Sequence, residues 1–120
     1  MLKINSTIKE WDRIDYEKHR FVFEEPFRKC SAYLPDFVSI PEDWGGDYAE
    51  TEITEIKGRL DERSKAMMLG FAKYYPHLIS CLHIVTEAKN FAWFQKMLPG
   101  VRLTDYARVK RDWEGLVIWE

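Results

Sequence analysis

Asp47-Tyr48-Ala49-Glu50-Thr51-Glu52-Ile53-Thr54-Glu55-Ile56-Lys57-Gly58, running on to Phe71, is the stretch on which the fold turns. Asp47 and Glu50 form a capping-box pattern, in which the first side chain accepts from the amide three residues on and the second reaches back. Glu50 and Glu52 then suit the positive end of a helix. Ile53, Ile56, Leu60, Met67 and Phe71 follow at spacings of three, four, seven and four, one apolar stripe at helical period. The pattern predicts a long helix over about 48–74, ended by Tyr75-Pro76 because the residue before proline is pushed out of the α region. Gly58 and Gly70 weaken it by about 1 kcal/mol each, with Lys57-Gly58 as the point of weakness.

Upstream, Pro41 to Asp47 is a loop by composition, with Gly45-Gly46 free to take positive φ. Phe37–Ile40 reads as a short edge strand or an extended loop between Pro35 and Pro41. Arg20 to Glu24 is aromatic and β-branched, a strand that Pro26 stops. A second capping box, Thr7 to Glu10, precedes Ile8, Trp11 and Ile14 and predicts a helix over about 8–18.

Downstream, Leu78 to Val85 is almost continuously apolar, and periodicity does not separate a buried helix from a buried strand. Pro76 suits a first helical turn, so a helix over about 77–89 is expected. Asn90 to Leu98 predicts a short helix presenting Phe91, Phe94 and Leu98, stopped by Pro99-Gly100. For the tail, either Thr104 to Ala107 starts a helix reaching about Glu114, or Tyr106 to Lys110 is a strand. Leu116 to Trp119 reads as a strand. The expectation is one α+β domain, predominantly helical, with a long central helix and a small antiparallel sheet.

At 120 residues, 46 % hydrophobic and 32 % charged, the composition is that of one globular domain. No apolar run precedes a small-residue cleavage site, and none is long enough to span a membrane. Two cysteines, Cys30 and Cys81, do not make a disulfide framework, so a cytoplasmic protein is expected. The net charge of −2 conceals an asymmetry. Residues 1–62 carry nine Lys/Arg against fifteen Asp/Glu, and residues 63–120 carry nine against five. Nine of the acids fall between Asp36 and Glu62, opposed there only by Lys57 and Arg59.

Candidate chemistry is sparse. His77, Cys81, His83 and Glu87 are metal-ligand types, but on one helix the His77–Cys81 and His83–Glu87 pairs point about 240° apart. No metal or cofactor site is expected from them. Cys81 with His77 or His83 is the nucleophile-and-base combination of a small enzyme, without a third orienting group in the sequence. Arg102, Arg108, Lys110 and Arg111, interleaved with Tyr106 and Trp113, have the composition of a nucleic-acid surface.

Trp44 and Tyr48 stand in an acidic, glycine-containing segment, where aromatic anchors of protein interfaces are found. The leading expectation is therefore a non-catalytic binding protein: a small inhibitor, immunity protein or adaptor. Glu42, Asp43, Trp44, Asp47, Tyr48, Glu50 and Glu52 would face a basic partner surface. A nucleic-acid binder and a small enzyme are the alternatives. The apolar stripe suits either core packing or pairing with a second copy, so oligomeric state stays open.

Overall fold

The computed structural model describes residues 11–109. In chain order they form β1 (Arg13–Tyr16), β2 (Phe21–Phe27), β3 (Cys30–Tyr33), β4 (Phe37–Ile40) and β5 (Glu52–Lys57). Then come α1 (Glu62–Tyr74), β6 (Leu82–Thr86), α2 (Phe91–Met97) and β7 (Arg102–Asp105). Short 3-10 turns occupy Tyr48–Glu50, Pro76–Cys81 and Ala88–Asn90. Five strands make a mixed sheet in the order β1-β4-β5-β6-β7, while β2 and β3 pair as a separate hairpin. The pairs β1–β4 and β4–β5 are antiparallel; β5–β6 and β6–β7 are parallel. Each parallel connection carries a helix, as parallel neighbours require.

One face of the sheet, α1 and the hairpin enclose the core. Ile53, Leu82 and Ile84 meet Phe71, Phe94, Leu98 and Tyr33 there, all at most 2 % exposed. Gly70 lies under the Phe23 ring, and a β-carbon at that position would overlap the ring. Its presence in a helix interior follows from that close approach.

The α+β class holds, but the long central helix and the predominantly helical domain do not. Residues 52–57 are a strand, and α1 starts only at Glu62, where the Asp61 side chain accepts from the Ser64 amide at 2.8 Å. Ile53, Thr54 and Ile56 are β-branched, so they favour the extended chain once β4 and β6 flank it. The Asp47 cap is real but serves only the Tyr48–Glu50 turn, accepting from Ala49. The end of α1 before Tyr75-Pro76 is as expected.

Residues 77–89 are likewise not a helix, because β6 lies inside a sheet and buries Leu82, Ile84, Val85 and Thr86. An interior parallel strand is apolar on both faces and so has no period-two signature. Residues 13–16 are a strand paired to β4 rather than part of a helix over 8–18. Thr7 and Glu10, its proposed cap, lie outside the described residues. The β2 strand continues past Pro26 to Phe27, since the ladder shifts register between Val22 and Phe27 and asks no hydrogen bond of the proline. β4 is an interior strand, not an edge. The helix at 91–97 forms as expected and buries Phe94 and Leu98. Residues 106–109 are helical, and the expected strand at Leu116 to Trp119 lies outside the described residues.

Candidate functional site

Alternation along β5 sends Ile53 and Glu55 to the core face, leaving a carboxylate where an apolar residue would ordinarily sit. Glu55 is 7 % exposed. Its Oε1 accepts a 2.8 Å hydrogen bond from the hydroxyl of Tyr33, itself 2 % exposed. Burial, reinforced by the Glu55 charge, pushes the Tyr33 phenol well above its usual range, so it remains a donor. Asp36, just before β4, interlocks with Glu55. Its Oδ2 accepts from the amide of Ile56, the residue after Glu55, at 2.8 Å. Burial first, then the Asp36 charge, raises the Glu55 carboxyl to about 7; Tyr33 and the nearby Lys57 oppose that rise. Two carboxylates held together in this way are a recognised cause of a displaced titration and a pointer to a functional site.

Lys57 follows Glu55 by two residues and shares its side of β5, at the strand's carboxyl end. The chain then passes through Gly58-Arg59 into α1. Arg59 and Arg63 are exposed, and among the described residues neither they nor Lys57 is ion-paired to a carboxylate. A buried glutamate and a partly exposed aspartate thus lie beside unneutralised cations, at the end of a parallel strand where open α/β sheets bind ligands. Among the described residues no group of three or more His, Cys, Asp or Glu is placed to hold a metal ion. Magnesium asks for less than that, since one or two carboxylates suffice when substrate oxygens and water complete its shell.

The residues selected from sequence divide into three groups. Glu42, Asp43, Asp47 and Glu50 are exposed and, among the described residues, pair with no cation. Trp44 is half-buried, its Nε1–H donating to the Asp47 carbonyl at 2.7 Å and its ring edge-on to Tyr48 at 5.2 Å. Beneath it, the Asp15 carboxylate accepts from His19 Nε2–H at 2.6 Å, and His19 Nδ1 lies 2.8 Å from the Tyr48 hydroxyl. The hydrogen bond from His19 is the chief cause holding Asp15 below the ordinary carboxylate range.

Glu52 stands apart from that loop. Its Oε1 accepts from Arg102 at 2.6 Å and from His83 Nδ1–H at 3.2 Å, while Thr104 lies 2.6 Å from His83 Nε2. Arg102 is therefore engaged in a pair on the outer sheet face. Arg108 is exposed in the helical residues after β7; Lys110 and Arg111 lie outside the described residues. The structure does not join Cys81 to either histidine: its thiol donates to the Ala49 carbonyl at 3.5 Å, and burial raises it away from the reactive thiolate. His77 is exposed beside Tyr75, and Cys30 is a buried free thiol. Cys81, Glu52 and Arg102 do line a shared cleft of about 340 Å³ with Thr51 and Ser80.

Tyr33, Asp36, Glu55 and Lys57 escaped the sequence reading. The usable signal was Glu55-Ile56-Lys57 read at period two, which places an acid and a base on the face that also carries Ile53. Reading that stretch at helical period scattered them. Among the described residues no helix is long and apolar enough to cross a membrane. Comparison of the chain with protein-family models, curated proteins and solved structures found no match.

Proposed function

We propose that this chain hydrolyses phosphodiester bonds of nucleic acid with the help of a divalent cation, using Asp36, Glu55 and Lys57. The juxtaposition of two neighbouring carboxylates with Lys57 on the same side of β5, followed in the chain by the exposed Arg59 and Arg63, carries the reading. Carboxylates without cations would repel a phosphodiester, and cations without carboxylates would only bind it. Asp36 and Glu55 would hold magnesium or manganese, which supplies Lewis-acid polarisation of the phosphoryl oxygens. Tyr33 fixes the Glu55 carboxylate from behind and keeps bulk water off that side. Lys57 offers a positive charge where the phosphoryl group becomes more anionic as water attacks and the ester P–O bond breaks. Arg59 and Arg63, exposed in the segment that follows Lys57, would hold neighbouring phosphates.

The test is cleavage of plasmid DNA and of labelled single- and double-stranded DNA and RNA, with magnesium, manganese or EDTA. Cation-dependent cleavage is expected, reduced by about two orders of magnitude or more in Asp36→Asn, Glu55→Gln and Lys57→Ala. Circular dichroism of each variant controls for folding. No cleavage of any substrate with either cation would overturn the reading.

A second reading concerns the opposite charge. Glu42, Asp43, Asp47 and Glu50 form an exposed acidic rim around Trp44, whose indole is fixed by the Asp47 carbonyl. Asp43 adopts a left-handed backbone at φ 57° and Gly46 one at φ 98°, so the loop holds a defined shape. We propose it as a docking surface for a basic protein face, with Glu52 excluded from the contact because Arg102 and His83 hold it. Such a surface is compatible with hydrolysis elsewhere on the molecule.

A further inference from the structure

The β2–β3 hairpin is closed by only two residues, Arg28 and Lys29, between the paired Phe27 and Cys30. Both have positive φ, 47° and 70°. A two-residue turn with both central residues left-handed is the type that asparagine and glycine ordinarily fill, because a β-carbon is disfavoured there. Here two long cationic side chains occupy it. Neither is ion-paired among the described residues, although Glu24 and Glu25 lie on the same hairpin.

The cations are also organised. The Arg28 guanidinium stands 5.3 Å from the centre of the Phe27 ring, and the Lys73 ammonium lies 5.8 Å from the same ring and 5.2 Å from that of Tyr74. Resting on aromatic faces narrows the side chains' motion while leaving their N–H donors outward. All three are exposed. From Lys29 at this tip, β3 leads in four residues, about 14 Å of extended chain, to Tyr33, which touches Glu55.

We propose that Arg28 and Lys29, with Lys73, form a phosphate-backbone grip for the nucleic acid, set at a fixed distance from the Asp36–Glu55 pair by β3. This rests on the nuclease reading above. Each strand of a duplex carries one phosphate per about 3.4 Å of axis, so a grip about 14 Å along the protein lies within the footprint of one bound duplex. The contact is electrostatic and indifferent to base sequence.

Arg28→Asn/Lys29→Gly separates the two roles of the turn, since it removes both charges and installs the residues that such a turn favours. Binding of a fluorescein-labelled duplex of about thirty base pairs is followed by anisotropy in EDTA, where no cleavage occurs, across a salt series. The variant should bind about tenfold or more weakly near 0.1 M salt, with the slope of log K against log salt reduced by about two. Its urea midpoint should be equal to or above that of the parent chain. Lys73→Gln should weaken binding in the same direction and reduce the slope by about one. Unchanged affinity and slope in a variant whose parent binds and cleaves would overturn the grip alone. A parent chain that neither binds nor cleaves nucleic acid would overturn both proposals.

Discussion

The hydroxyl of Tyr33 donates to Glu55 Oε1 at 2.8 Å across the interface between the hairpin and the sheet, with both residues buried. This single bond ties the outer layer of the domain to the strand that carries the proposed site. It also means that an ionisable group with a displaced titration sits inside the folded structure, so stability and charge state are linked there.

Stability should fall as pH rises through the range between the ordinary glutamate value of 4.5 and about 7. Within that window the folded chain retains the Glu55 proton while the unfolded chain releases it, so the native state binds more protons and alkalinity favours unfolding. Below the window both states are protonated and above it both are ionised, so the contribution is flat on either side. The drop is on the order of 3 kcal/mol. Glu55→Gln should flatten this fall when urea unfolding is measured without divalent cation at several pH values. An equally steep fall in the variant would assign the pH dependence to other groups.

Tyr33→Phe removes the side-chain donor to Glu55 and leaves a buried carboxyl oxygen without it. A loss of about 1–2 kcal/mol is expected near pH 5, where the carboxyl is neutral. The loss should grow above pH 7, because a hydrogen bond to an ionised acceptor is stronger. Equilibrium denaturation at the two pH values measures the difference, and an identical loss at both would contradict the assigned pairing.

Gly70→Ala would ordinarily strengthen a helix by about 1 kcal/mol. Here the added methyl meets the buried ring of Phe23, and overpacking of this kind costs about 1–3 kcal/mol. The expected net effect is destabilisation by up to about 2 kcal/mol. Pairing the change with Phe23→Leu should recover part of the loss, visible as a non-additive double-mutant cycle.

Glu42→Lys/Asp43→Lys reverses the exposed acids beside Trp44 without touching the Trp44–Asp47 hydrogen bond. Immobilised parent and variant chains exposed to the same host extract should retain different sets of basic proteins. Those held by the parent alone should be released by raised salt. Equal retention by both chains would remove the acidic loop from consideration as a docking surface.

Local chemistry alone determined several features of this protein: the stop of α1 before Tyr75-Pro76, the cap at Asp47, the loop through Gly45-Gly46, and the short helix presenting Phe94 and Leu98. Each depends on groups within a few residues of one another, where capping hydrogen bonds and proline geometry act. The α+β class also followed from them. The extended state of residues 52–57 and 82–86, by contrast, was decided only by pairing with distant partners. Val38 is Cα partner to Ile53, and Ile53 to Leu82.

The same pairings decided the proposed site. Tyr33, Asp36, Glu55 and Lys57 come from two strands and a loop, and neither the burial of Glu55 nor its approach to Asp36 exists until β4 lies against β5 and the hairpin covers them. Ile53, Ile56 and Leu60 fit a helical stripe as well as a strand followed by a turn, so the local pattern could not choose. Contacts across thirteen or more residues settled the choice, because only they remove Glu55 from water.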